Sequence, residues 1–235
     1  MRDVVIIFGG DSVENEISAK SAEGILKNID QSKFCASLLN IKDLKIELIK
    51  EDTVVFIAVH GLGGEDGETQ KLLEDNSIKF TGSGEDSAKL CWDKISSKAL
   101  MKKNKIPTPP YKIIRKNKKP DIKNEFFSSR DNFFVKPNSN GSSFGVSKVT
   151  SFKQLDQAIK EARKFSEDVI IEEAYNTAEY TVGILKGEAL EPLEIIASDN
   201  KGFYDYQAKY VSKNTKKVEV VDKEIKKELQ KIALK

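Results

Sequence analysis

Lys136 stands in the string FFVKPNSNGSSFGVSK, residues 133–148, and this stretch is equipped to handle phosphate. An apolar strand, Phe133–Val135, delivers the lysine. Gly141, Ser142, Ser143 and Gly145 follow in a polar loop, and Val146 begins a second strand. Glycine lets backbone N–H groups approach an anion closely, and successive N–H groups form a concavity suited to phosphate. A lysine beside such a loop supplies the counter-charge. The chemistry implied is a hairpin that folds over the phosphates of a nucleoside triphosphate. The plain alternative is a Gly/Ser-rich hairpin with a solvated lysine, because the string does not match the pattern GxxxxGK[ST].

A second equipped stretch is HGLGGEDGETQ, residues 60–70. It holds the chain's only histidine, His60, beside Gly61, Gly63, Gly64, Glu65 and Asp66. A lone histidine is often structural; this one ends an apolar run, where α/β sheets place ligands. The third is GGDSVENEIS, residues 9–18, with Glu14 and Glu16. It lacks GxGxxG, so it is no dinucleotide fingerprint. Glu16 also reads as an acid at a helix N-terminus, worth about 0.3–1 kcal/mol, a role compatible with substrate binding.

The elements that must position these residues follow from periodicity. Val4–Phe8 and Thr53–Val59 are near-continuous apolar runs, the mark of strands buried on both faces. A helix begins near Glu16, with Ile17, Ser21, Ala22, Ile25, Leu26 and Ile29 as its inner stripe. Phe34–Ile41 is another strand, Glu68–Glu74 a helix and Lys79–Phe80 a short strand. Ser83-Gly-Glu-Asp86 resembles a capping motif. This β/α alternation gives a parallel sheet over residues 1–88. Residues 89–106 continue helical until Pro107, Pro109 and Pro110 end them. Tyr111–Ile114, the organising hairpin, a helix capped by Ser151 and Gln154, and the strand Asp168–Ile171 make a smaller α/β unit, 89–176. That helix is expected to turn Phe152, Leu155, Ile159, Ala162 and Phe165 inward. Beyond it, Tyr180–Leu185 and Ala189–Ile196 flank Lys186-Gly187-Glu188, a hairpin signal. The aromatic, polar segment 201–215 is not core throughout. Asp222 caps a final helix carrying Ile225, Leu229 and Ile232 on one face.

Composition narrows the function classes. The chain has 235 residues, 39% hydrophobic and 32% charged, which is globular rather than disordered. Its net charge of +2 implies no strong field for nucleic acid or membrane. The run Lys102, Lys103, Lys105, Lys112, Arg115, Lys116, Lys118 and Lys119 reads as solvated, because no stacking aromatics alternate with it. Cys35 and Cys91 read as reduced core thiols of a cytoplasmic protein. No stretch is long enough to span a bilayer.

Seven blocks in order, VVIIFGGDSVENEIS, AVHGLGGEDGETQ, FTGSGEDSA, DKISSKAL, FVKPNSNGSSFGVSKV, VIIEEAYNTAEYTV and FYDYQAKY, resemble the D-alanine–D-alanine ligase family of the ATP-grasp superfamily. The resemblance implies an α/β fold. An open parallel-sheet N-terminal domain (1–88) precedes an ATP-grasp fold made of a small central domain (89–176) and a C-terminal part (177–235) that is incomplete. It implies ligation of two D-alanine molecules at the expense of ATP, through an acyl phosphate, for peptidoglycan synthesis in the cytoplasm.

It also implies roles residue by residue. Glu16 aligns with the acid on the first substrate's ammonium, and His60 with the histidine near its carboxylate. Ser142 and Tyr210 align with residues that hydrogen-bond with that acid and hold two loops shut. Lys94 and Lys136 align with the ATP-phosphate lysines, Ser143 lies in the same phosphate-facing loop, and Lys209 belongs to the closing loop. Glu172, Glu173, Ala174 and Tyr175 match the edge that reads adenine, and Glu179 the acid on the ribose. The YDYQAKY version resembles selectors of D-alanine rather than D-lactate. Homodimerisation through the N-terminal domain is a family expectation.

The family pattern continues with an RxD segment on one strand and an ExN segment on a later strand, which hold Mg2+ (or Mn2+), and residues 1–235 show neither in that strand context. The expectation is therefore an incomplete ligase, inactive alone, with an unpaired strand edge and an exposed apolar face around Tyr180–Ile196. The rival reading is a non-catalytic nucleotide-binding remnant or a partner subunit of an intact ligase. Another ATP-grasp ligase acting on a different amino acid is disfavoured by Glu16, His60 and Tyr210 together. A nicotinamide dehydrogenase is disfavoured by the lack of GxGxxG.

Overall fold

The structure is a computed structural model that describes residues 1–121, 123–197 and 206–235. It divides into two compact units, Met1–Ser97 and Lys98–Lys235. The change of pattern expected at residue 177 falls inside the second.

The first unit is a parallel sheet with helices between its strands. Its elements are β1 (Arg2–Phe8), α1 (Asn15–Asn28), β2 (Phe34–Asn40), β3 (Val54–Ile57), α2 (Glu68–Asp75), β4 (Lys79–Phe80) and α3 (Glu85–Trp92). Strand order is β2-β1-β3-β4, and all three pairings are parallel. Ile6 and Ile7 are both fully buried although they point to opposite faces, as a two-sided central strand requires. The chain leaves β1 toward β2 on one side and returns to β3 on the other. The order therefore reverses between β1 and β3, and a crevice opens there at the strands' carboxyl ends. On α1 the fully buried positions are Ser18 and Ala22; Ile17, Ser21, Ile25, Leu26 and Ile29 are half-buried.

Several local expectations are corrected. The helical run from residue 89 is two helices, α3 and α4 (Lys94–Lys103). Asp93 breaks it, and its carboxylate accepts from the Ser96 N–H at 2.7 Å, restarting the helix as a cap. Ser83 does not cap α3. Gly84 holds that position, and Glu74 accepts from the Glu85 N–H at 3.2 Å. Cys35 and Cys91 are free thiols but exposed, not core.

The second unit contains a four-stranded antiparallel sheet, β5 (Tyr111–Ile114), β6 (Phe133–Pro137), β7 (Ser147–Val149) and β8 (Val169–Glu173), in the order β5-β8-β6-β7. Val146 stays in the hairpin loop, so β7 starts one residue later than expected. One face packs on α5 (Glu125–Ser128) and α6 (Leu155–Ala162), enclosing Phe126, Phe127, Phe133, Val135, Leu155, Ile159 and Ile171. Each of these side chains contributes about 1.5–3 kcal/mol by leaving water. Phe152 and Phe165 are 44% and 40% exposed, a correction to their inward placement. Ser151 caps a single 3₁₀ turn, Phe152–Gln154, and Gln154 accepts from the Thr150 N–H at 3.0 Å.

The remaining strands are shorter than expected: β9 (Glu179–Thr181), β10 (Ile184–Leu185), β11 (Glu188–Ala189) and β12 (Leu193–Ile196). The β10–β11 turn is Lys186-Gly187, with φ of 52° and 81°, the positive pair that a two-residue hairpin favours. The expected unpaired edge falls on β9, at the end of a three-stranded sheet, and not on β12. β12 pairs with β9 on one side and β13 (Lys216–Glu219) on the other. Ile184, Leu185, Leu190 and Ile196 are nevertheless exposed, as the sequence leads one to expect. The final helix, α7 (Lys223–Ala233), is capped by Asp222, which accepts from Glu224 and Ile225. Of the segment 201–215, residues 201–205 lie outside the described residues.

Candidate functional site

In the first unit the loops after β1 and β3 are tied together at the crevice between those strands. Ser18 Oγ donates to the Ala58 carbonyl at 2.7 Å and accepts from the Gly9 N–H at 2.8 Å. Ser12 Oγ donates to the His60 carbonyl at 2.7 Å and accepts from the Glu14 N–H at 3.2 Å. The His60 ring is aimed by α1, with Ser21 Oγ 3.0 Å from its Nε2. Gly61 lies at φ +71°, and a Cβ there would stand 3.1 Å from Ser12 Cβ and 3.2 Å from Glu14 Oε2. The close packing of the two loops therefore requires glycine.

Asp66 accepts from the Gly63 and Glu68 N–H groups and so fixes the start of α2. Gln70 donates to the Gly64 carbonyl at 2.6 Å. A cavity of about 340 Å³ opens here, lined by His60, Glu65, Gln70, Thr81 and Ser83 among others. Glu65 keeps an exposed surface, yet partial desolvation pushes its carboxyl above the usual range. A hydrogen bond from the Gly61 N–H opposes that rise, and the charge of Glu14 adds to it. Glu16 sits in the first turn of α1, exposed. Lys94 opens α4. All of these belong to the first unit.

In the second unit, β6 presents Lys136 beside Glu172 of β8. The Lys136 ammonium lies 2.5 Å from Glu172 Oε2, and Lys98 lies 2.8 Å from Oε1. Lys98 also donates to Thr108 Oγ1 at 2.7 Å and sits over the Tyr111 ring, 5.0 Å from its centroid. Burial alone would raise the Glu172 carboxyl, but Lys136 and Lys98 together hold it below the usual carboxylate range. Glu173 pairs with Arg130 at 2.8 Å and accepts from Tyr175 Oη at 3.1 Å. The Glu173 and Ala174 N–H groups donate to the Pro110 and Asn132 carbonyls, so these two amides are committed within the protein. Glu179 is raised by desolvation and drawn back by the charges of Lys209 and Lys136, which places these three side chains around one region.

The glycine–serine loop is held in an uncommon conformation. Ser142 and Ser143 have φ of 48° and 62°, and Gly145 has φ of 73°. Against it rests a π-helical turn, Gln207–Val211. Ser142 Oγ and Tyr210 Oη are 3.3 Å apart. Tyr206 packs between Phe144 and Tyr210, with centroids 5.0 and 5.1 Å away. The structure thus brings together Ser142 with Tyr210, Lys136 with Glu172, and Glu179 with Lys209. The sequence reading missed Lys98 and the Ser21–His60 contact. The one available signal for Lys98 was its place four residues after Lys94, on the same helical face.

Comparison with known proteins places the chain in a family. A family model described as the C-terminus of D-ala D-ala ligase matches residues 100–235. A D-alanine–D-alanine ligase of Methylacidiphilum infernorum is 36% identical over 209 residues, 89% of this chain and 66% of that protein. One from Glaesserella parasuis is 36% identical over 92% of this chain and 71% of that protein. The chain thus spans about two thirds of the length of these curated relatives. Among solved structures, the D-alanine–D-alanine ligase of Bacillus anthracis complexed with ATP superposes with a TM-score of 0.84 at 26% identity, covering 100% of this chain and 76% of that one. The VanG D-Ala:D-Ser ligase of Enterococcus faecalis gives 0.78 at 27% identity, covering 99% and 81%. A match that runs through both units at this identity is common descent, and the chain belongs to the D-alanine–D-alanine ligase family.

Proposed function

We propose that this chain binds ATP and D-alanine and serves the ATP-dependent joining of two D-alanine molecules into D-alanyl-D-alanine for peptidoglycan. The observation that carries the reading is the grouping of Lys136, Glu172, Glu179 and Lys209 near a glycine–serine loop pinned by Tyr210. In this reading Lys136, Lys94 and the backbone of Ser142 and Ser143 take the phosphates. Glu179 takes the ribose, and the edge from Glu172 to Tyr175 takes the base. Glu16 orients the ammonium of the first D-alanine by a charge-assisted hydrogen bond. His60, fixed by Ser21, faces its carboxylate.

Transfer of the γ-phosphoryl group of ATP to that carboxylate gives an acyl phosphate and ADP, and the second D-alanine's amine then attacks the acyl carbon as phosphate leaves. Such a reaction needs positioning and cationic charge more than covalent help. The Ser142–Tyr210 contact, with Lys209 on the same turn, shields the acyl phosphate from water.

A ligase of this kind uses Mg2+. Among the described residues no three His, Cys, Asp or Glu side chains converge into a site for a metal ion. The described residues do not fit that ion. Among the described residues no helix is long and apolar enough to cross a membrane. Action in the cytoplasm and pairing through the first unit follow from the family reading.

The test is calorimetric titration of the 235-residue chain with ATP, followed by D-alanine-dependent phosphate release with magnesium. ATP binding with D-alanine-dependent release supports the ligase. Binding without release supports the non-catalytic nucleotide-binding reading. Absence of ATP binding by a folded chain overturns both.

A further inference from the structure

Among the described residues Lys98 is the one buried lysine, and the functional reading gives it no task. It is 7% exposed, and its Nζ is met by the Glu172 carboxylate, the Thr108 hydroxyl and the face of Tyr111. A lysine so enclosed does not present its charge to a ligand. Lys136 does, because its side chain is 26% exposed while that of Glu172 is 6%.

The three charges form a row, Lys98–Glu172–Lys136, in which one carboxylate is shared between two ammoniums. Their sum is one positive charge. Take Lys98 away and Lys136 becomes half of a neutral pair, with nothing left over for a phosphate. Lys98 also holds Oε1, so Glu172 offers Lys136 only Oε2.

We propose that Lys98 is a positioning residue for phosphate binding: it engages Glu172 from the buried side, so that Lys136 keeps its surplus charge for an anionic ligand. The phosphate half of this statement rests on the nucleotide-binding reading; the sharing of charge does not.

The experiment compares wild type, Lys98→Met, Lys98→Arg and the double variant Lys98→Met with Glu172→Gln. The first readout is the ratio of ATP to adenosine affinity at low salt, which cancels changes in base binding. The second is the rate at which Lys136 is acetylated by acetic anhydride, followed by mass spectrometry without nucleotide. Lys98→Met is expected to lower the affinity ratio by about tenfold or more and to slow acetylation of Lys136. Lys98→Arg keeps both near wild type. The double variant returns both, because removing the carboxylate charge releases Lys136 again. A buried ionic pair replaced as a pair is also well tolerated, so the double variant remains informative if Lys98→Met does not fold.

An unchanged ratio and unchanged acetylation in Lys98→Met, or a double variant that fails to restore them, overturns the proposal. If wild type binds neither ATP nor adenosine, the nucleotide reading fails. The acetylation series then decides the charge sharing alone.

Discussion

The hydroxyl of Ser142 lies 3.3 Å from the phenolic oxygen of Tyr210, a pairing that spans 68 residues of chain. It joins a loop whose serines have positive φ to a π-helical turn. The stack of Tyr206 between Phe144 and Tyr210 reinforces the same contact.

Tyr210→Phe keeps that aromatic stack and removes the hydroxyl. It is expected to cost about 1 kcal/mol, or roughly fivefold in local opening. Hydrogen exchange at Ala208–Val211 checks this, and rates equal to wild type would show that the contact holds nothing.

Gly145 is committed to its conformation by space as well as by φ. A Cβ there would stand 2.6 Å from Phe165 Cδ2. Gly145→Ala is expected to destabilise the second unit by about 1–3 kcal/mol. Adding Phe165→Ala, a side chain already 40% exposed, should recover part of that loss. Urea midpoints of the single and double variants measure the recovery.

Glu172 makes acid stability a test of the charged row. Its folded carboxyl is held below the ordinary value. The stability it supplies is therefore full above an unfolded pKa of about 4.3 and is lost as pH falls through the depressed folded value. Glu172→Gln leaves the Lys98 ammonium buried without its counter-charge, a loss of about 3–5 kcal/mol at neutral pH. The gap in urea midpoint between wild type and variant should narrow as pH is taken from 7 toward 2.

Glu65 has the opposite sign. Its folded carboxyl is raised, chiefly by desolvation, so ionising it weakens the fold. Stability is fully present below the unfolded pKa and declines as pH rises through the folded one. Glu65→Gln should thus stabilise the first unit at pH 7 and have no such advantage near pH 3. Thermal melts at the two pH values decide it.

How far the sequence exposes this structure depends on what each residue's signal competes with. β1 and β8 are legible because continuous β-branched runs have few alternative uses, and Asp222 is legible because a cap directly precedes an amphipathic helix. α5 is not, since four residues cannot display a helical period, even though Phe126 and Phe127 are buried there. β13, KKVE, carries charges that argue for a loop until β12 is seen beside it. The pairing of Ser142 with Tyr210 came from family resemblance, because no local pattern relates residues 68 positions apart. Lys98 stayed hidden for a different reason. A lysine four residues after another looks like a solvated helix face, and only Glu172, arriving from β8, makes burial of its charge affordable.

The break at Asp93 has a practical side. It leaves Trp92, the chain's only tryptophan, as the final residue of α3, immediately ahead of the helix that carries the chain from one unit into the next. The protein therefore carries a single intrinsic fluorophore of this kind, five residues before the first unit ends at Ser97. Excited at wavelengths too long for tyrosine, its emission reports the surroundings of the end of α3 without any label.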